Sequence, residues 1–170
     1  MNSRGKKIFI LLTVVVPILA YSIIYYIPII RNAPFKSTEF VSFQYKWGEG
    51  KDLPNSYDSA TGDYQYLNSK DSLIKTNVKL RPNDILYLHH KANELGFWNF
   101  PDVIANKGSN PKDSKVLRYT LQFNYKRKSK SVDFVSDYDE TPKLRDVALQ
   151  MKTLVEQSIS DAEDRYNSKP

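Results

Sequence analysis

The longest uncharged stretch of the chain, IFILLTVVVPILAYSIIYYIPII, runs 23 residues from Ile8 to Ile30. As a helix it would extend roughly 35 Å, at about 1.5 Å per residue, against a bilayer hydrocarbon core of about 30 Å. A helix apolar on every side needs lipid or a large apolar enclosure, and nothing else in the 170 residues is apolar enough to enclose it. The expectation is therefore a transmembrane helix over residues 8–30, held as a single-pass, uncleaved signal-anchor. Arg4, Lys6 and Lys7 precede the span and Arg31 and Lys36 follow it, a modest bias that places residues 1–7 in the cytoplasm. Tyr21, Tyr25 and Tyr26 gather toward the far end, where amphipathic rings favour the membrane interface. Pro17 should kink the helix and Pro28 should mark its exit. A cleaved signal peptide competes, but its apolar region normally covers only about 7–15 residues, and a cut after Ala20 would leave Ile18 at the −3 position. No GxxxG occurs, so no helix dimer is inferred. On this reading the first partner is the lipid bilayer, through residues 8–30. The location is a cytoplasmic (inner) membrane, with everything beyond about residue 37 outside the cytoplasm.

Charge takes its meaning from the same division. The formal charge is +6, yet the first 36 residues hold five basic groups and no acidic one. The other 134 residues hold 20 basic and 19 acidic groups, so the folded part is nearly neutral. That argues against a nucleic-acid partner, since phosphates demand net or clustered positive charge. The absence of cysteine excludes disulfides, thiolate metal sites, a cysteine nucleophile and a lipoprotein anchor. The length beyond the span suits one core.

Residues 31–39, with Pro34, form a tether to a domain over residues 40–165, and residues 166–170 should fray. Val41, Phe43, Tyr45 and Trp47 alternate with polar residues, the period of a strand with one buried face. Residues 48–62, rich in Gly, Pro, Asn, Asp and Ser, read as loop. Tyr64–Leu67 and Leu73–Leu80 are strand-like, joined by a turn over Asn68–Asp71. From Pro82 the period becomes helical through Ile85, Leu88, His89, Ala92 and Leu95, and Gly96 stands where a left-handed cap belongs. Residues 102–115 read as a second loop. Leu117, Tyr119, Leu121, Phe123 and Tyr125 make the clearest strand, followed by Val132–Val135 with Val132 and Phe134 inward. Thr141-Pro142 has the composition of a helix start. Leu144, Val147, Ala148, Met151, Leu154, Val155, Ile159 and Ala162 then form an apolar stripe. The expected fold is α+β: after the transmembrane helix, an antiparallel or mixed sheet of about five strands with two helices on one face, in the order βββαββα.

The run KLRPNDILYLHHKANELGFWNFPD joins a strand to a Pro-started helix and an aromatic, Pro-ended exit, and RYTLQF, SVDFV and PKLRDVALQMKTLV follow it. This pattern resembles small uncharacterised bacterial extracytoplasmic α+β domains, with a layout similar to the emfourin-type inhibitors of thermolysin-like metalloproteases. It covers roughly residues 40 to 160 and consists mostly of packing positions, so it implies a fold more than a function. No inhibitory residue maps onto a matched position, and the inhibitors are expected as soluble domains without an anchor.

Chemistry is sparse. His89 and His90 are adjacent, about 100° apart on a helix, and cannot share a metal as an i, i+4 pair would. Asp137-Tyr138-Asp139-Glu140 precedes a helix start, where the dipole favours carboxylates, and lacks the calcium-loop pattern. No G-x-S-x-G, P-loop, dinucleotide fingerprint or H-E-x-x-H occurs. Lys126–Lys130 is the densest positive run and falls in a hairpin turn. No cofactor, metal ligand or catalytic residue is expected.

The expected function is that of a membrane-anchored, non-enzymatic extracytoplasmic domain binding a protein or envelope component. A periplasmic protease inhibitor or enzyme modulator is the alternative, and a two-carboxylate hydrolase the least favoured class. Long loops on a rigid scaffold are the usual seat of binding, and the first loop offers apolar side chains. The binding residues expected are therefore Leu53 and Tyr57, with Trp98 as neighbour.

Overall fold

The computed structural model describes residues 5, 9–31, 35–112 and 115–168. The chain divides into two compact units, Met1–Phe35 and Lys36–Pro170. Arg4, Lys6, Lys7, Ile8, the tether residues 32–34 and the last two residues of the tail lie outside the described residues.

In the first unit a π-helical segment, Leu11–Val15, leads into helix α1, Val16–Arg31. The change of hydrogen-bonding pattern has a cause in the sequence. Pro17 has no N–H to close a ring onto the carbonyl of Thr13, four residues back, and its ring crowds that carbonyl. A π-type widening just upstream is a common way to absorb such a conflict. The Thr13 hydroxyl donates to the Phe9 carbonyl at 2.6 Å. The α-helix proper, after the π-helical segment, has 16 residues. Among the described residues no helix is long and apolar enough to cross a membrane. This corrects the expected single-pass transmembrane signal-anchor over residues 8–30, and the membrane location loses the support that it took from that span.

The second unit is α+β, and its sheet is larger than expected: seven strands instead of five. They are β1 (Phe40–Glu49), β2 (Asn55–Asp58), β3 (Asp63–Leu67), β4 (Leu73–Asn77), β5 (Val103–Ile104), β6 (Leu117–Tyr125) and β7 (Ser129–Val135). In space they run β4-β3-β2-β1-β6-β7-β5. Every pairing is antiparallel except β5 with β7, which makes the sheet mixed. The two strands that the periodicity misses, β2 and β5, lie inside the two segments read as loops. In β2 only Tyr57 is buried, so no alternation can show. Its place is fixed by Asn55, whose amide donates to the Trp47 carbonyl at 3.0 Å and accepts from the Leu67 amide at 2.7 Å. β5 has two residues, too few for any period.

Register places Phe43, Tyr45, Trp47, Tyr57, Tyr64, Tyr119, Leu121, Phe123, Val132 and Phe134 on one face. Helices α2 (Pro82–Glu94) and α3 (Pro142–Asn167) cover that face. α2 buries Leu88, His89 and Ala92. α3 buries Ala148, Met151, Val155, Ser158, Ile159 and Ala162, while Leu144, Val147 and Leu154 stay half-buried. Contacts across the layers include the Tyr45 hydroxyl donating to Glu156 at 2.6 Å and the Lys152 ammonium 4.9 Å from the centre of the Tyr119 ring. Each large side chain removed from water here contributes about 1.5–3 kcal/mol, and Phe43, Tyr45, Leu121 and Phe123 are at most 1% exposed. Gly96 takes φ +70° after α2 and turns the chain into a 3₁₀ segment, Phe97–Asn99. Arg81 and Thr141 stand before the two prolines that open the helices, and neither caps through its side chain.

Neither α2 nor α3 covers the opposite face. It is polar, with Ser42, Gln44, Lys46, Asp58, Gln65, Arg118, Thr120, Gln122, Asn124 and Asp133 in register. Neighbouring side chains bond across strands: Gln44 to Asp58 at 2.8 Å, Asn124 to Ser42 at 3.1 Å and Thr120 to Asp133 at 2.5 Å.

Candidate functional site

The sheet's two edges are built differently. At one end β5 is two residues long, and the cation of Lys130 holds the segment that leads into it, donating to the Phe100 carbonyl at 2.5 Å and pairing with Asp102 at 2.6 Å. At the other end β4 is five residues long, and among the described residues no strand pairs with its outer side. Antiparallel ladders alternate hydrogen-bonded and non-bonded pairs. The bonds from Val78 N–H to Gly62 C=O (2.7 Å) and from Asn68 N–H to Ser72 C=O (3.0 Å) set the phase of the β3–β4 ladder. Thr76 and Ile74 therefore bond inward to β3. Leu73, Lys75 and Asn77 turn their N–H and C=O groups outward.

Beyond Asn77 the chain passes Lys79 and Arg81 into α2. Here lies a cavity of about 370 Å³, lined by Asn77, Lys79, Arg81, Ala162, Arg165 and Tyr166. Three of the six are cations. Arg165, near the end of α3, donates to Asp84 at 2.6 Å, and the same carboxylate accepts the Arg81 N–H at 2.9 Å. Asp84 thus ties the start of α2 to the end of α3 and holds the Arg165 fork in place. Among the described residues Lys79 and Arg81 take part in no ion pair, and both are exposed. The stem of Lys79 rests on Gly62: a Cβ there would stand 3.0 Å from its Cγ and 3.1 Å from the Val78 carbonyl. With φ at +81°, Gly62 has a second reason to be glycine. Convergent cations around a concave space attract carboxylates and phosphates, and an arginine adds forked hydrogen bonds.

The three binding residues expected from sequence do not converge. Tyr57 is 1% exposed and presents nothing outward. Its hydroxyl donates to the Val78 carbonyl at 3.0 Å, so it fastens from beneath the segment that carries Lys79. Burial pushes its phenol up to about 12. Leu53 is half-buried and folds with Pro54 onto the polar face. A Cβ at Gly48 would stand 2.6 Å from Pro54 Cδ and 3.2 Å from Leu53 Cα. Trp98, on the helix-covered side, is half-buried with its ring edge-on to Phe123 and Tyr125.

Trp98 also decides a proton. Its indole N–H can only donate, and it bonds Asn93 Oδ1. The Asn93 amide nitrogen therefore faces His89 Nε2, at 3.1 Å. That nitrogen accepts, so Nδ1 carries the hydrogen and donates to the Tyr125 hydroxyl at 2.7 Å. Burial first, and then the charge of His90, lowers the His89 pKa. His90 is exposed. The acidic run at 137–140 is tied to the segment opposite: Asn106 bonds Asp137 C=O at 3.0 Å and Asp139 N–H at 3.1 Å, and Glu140 accepts the Lys107 N–H. In the basic run, Arg127 pairs with Glu39 at 2.7 Å and Lys130 with Asp102.

The cationic cavity was thus not located by the densest positive stretch. Its signal in the sequence is only the pair Lys79 and Arg81, and Arg165 joins it only through folding. Compared with family models, curated proteins and solved structures, the chain matches none at a significant level.

Proposed function

We propose that the domain is a binding module, without catalysis of its own, for a protein or envelope component that carries acidic groups. The observation that supports this reading is the cavity in which Lys79, Arg81 and Arg165 face one space and only Arg165 among them is paired, among the described residues. Two exposed cations beside an arginine already oriented by Asp84 form a receptor for a carboxylate or phosphate. Such contacts weaken as salt screens them over about 10 Å at 0.1 M.

The test is retention of the full-length chain on an immobilised glutamate-rich peptide at rising salt. The wild type should elute late, and Lys79→Gln with Arg81→Gln should elute early. Equal retention of the two would overturn the reading. Lys46→Gln with Lys70→Gln, two exposed cations away from the cavity, removes the same charge and should change little.

A further inference from the structure

We infer that the acidic partner docks as an extended segment that adds an eighth strand to the outer side of β4 and delivers its carboxylate to the neighbouring cations. This rests on the cavity reading above and specifies its ligand. The support comes from the edge itself. Leu73, Lys75 and Asn77 present backbone donors and acceptors outward, spaced two residues apart, which is the template that peptide strand addition uses. The cavity continues the same line, since Asn77 belongs to both β4 and its lining.

The side chains along this edge state what the segment must carry. At the start of β4, Leu73 stands opposite Leu67 on the uncovered face, and the two are 46% and 39% exposed. An apolar residue on the incoming strand would cover both. At the far end the segment meets Lys79 and Arg81. Leu73 and Lys79 are six residues apart, roughly 20 Å at about 3.4 Å per residue. The fitting ligand is therefore an extended peptide with an apolar residue and a carboxylate five to seven positions apart. In an antiparallel addition the carboxylate is a side chain at the segment's N-terminal end. In a parallel one it belongs to the C-terminal end, the terminal carboxylate included.

Lys75 in mid-strand is a common guard against edge-to-edge pairing, and here it selects. A second copy of β4 would set lysine beside lysine, whereas an acidic segment gains from the same charge. The opposite edge, where β5 has only two residues, offers no comparable template.

The experiment uses full-length protein and fluorescently labelled peptides of alternating valine and threonine. Two glutamates stand at the N-terminal end in one arm and at the C-terminal end in the other, with a leucine six positions away. Anisotropy measures binding, and amide exchange locates it. Binding of either peptide should slow exchange at least tenfold at Lys75 and Asn77, the outward amides, and little at Ile74 and Thr76. Lys75→Pro removes an outward N–H while leaving the inward ladder whole, and Ile74 before it is already extended. It should weaken peptide binding at least tenfold, whereas Lys75→Thr should not. Peptides N-methylated at alternate amides test the same point without altering the protein, and one of the two methylation phases should abolish binding. Binding of free succinate, measured by calorimetry on the same protein, reads the cavity without the edge. Equal binding of the Pro and Thr variants, or of both methylated peptides, overturns strand addition while succinate binding continues to support the cavity. Unchanged binding of both peptide and succinate by Lys79→Gln with Arg81→Gln overturns the cavity reading instead. Failure of both peptides to bind at 1 mM overturns the inference.

Discussion

One face of the sheet is aromatic and roofed by two helices, and the other is polar, with Leu53 and Pro54 folded onto part of it. Both faces are made by the same strands, residue by alternate residue, so they share a backbone and differ only in side chains. Phe123 is 1% exposed and packs against Phe43 at 5.6 Å and Phe97 at 5.3 Å between ring centres. Its neighbour Gln122 reaches the other way and donates to Asn124 at 2.8 Å. The roofed face supplies the burial that offsets chain entropy. On the other face polar side chains bond one another across strands, as Gln44 does to Asp58 and Thr120 to Asp133.

The contrast can be broken most strongly at Phe123. Replacing it with alanine empties an enclosed space and should cost about 3–5 kcal/mol in urea unfolding. A loss below about 1 kcal/mol would mean that the roofed face is not the seat of stability. Alkaline pH attacks the same face without mutation. Burial raises the phenols of Tyr45, Tyr57 and Tyr125, with Tyr57 pushed up to about 12. Unfolded tyrosines lose their protons near pH 10. Above that pH the unfolded state binds fewer protons than the folded state, so stability falls as pH rises. Thermal melting followed from pH 8 to 12 should be flat to about 10 and then decline. Tyr57→Phe should lessen the decline, and stability that is level through pH 12 would contradict the burial.

A smaller effect is expected for Tyr45→Phe, which removes the bond to Glu156. A bond to a charged group contributes about 1.5–3 kcal/mol. The lower end applies, because the Glu156 side chain is 36% exposed and also paired with Lys152 at 2.8 Å. The smallest belongs to the polar face: Gln122→Ala should cost less than about 0.5 kcal/mol, as ordinary surface changes do. A cost similar to that of Tyr45→Phe would show that the polar ladder carries stability of its own.

How much of this was legible follows from the lengths of the elements. β1 and β6, ten and nine residues long, give period two enough repeats to be seen, and the two covering helices show their stripes. β2 and β5 exist because neighbouring strands offer them partners, and the chemistry of four or two residues cannot announce that. Tyr57 illustrates the cost of missing them. Read inside a loop it looks presented, but in a strand it points into the core. The apolar run before the domain misled for a different reason. Counting uncharged residues takes no account of backbone hydrogen bonds, and Pro17 alters that ladder within the run. The cavity was illegible because Arg165 lies more than 80 positions from Arg81 and the helices bring them together.

The pairing of β1 with β6 has a consequence during synthesis. It registers Phe43 against Phe123, joining a four-stranded meander made early to a hairpin made late. Closing a loop of about 80 residues costs about 2 kcal/mol more than closing one of ten. The delay is the larger matter. At roughly 5–20 residues per second, β6 leaves the ribosome about 4–15 s after β1 is complete. Through that interval Phe43, Tyr45 and Tyr57 have neither β6 nor α3 to cover them. The nascent meander is thus an aromatic sheet with both edges open, a species that gains from a chaperone's hold or from slow synthesis at low concentration.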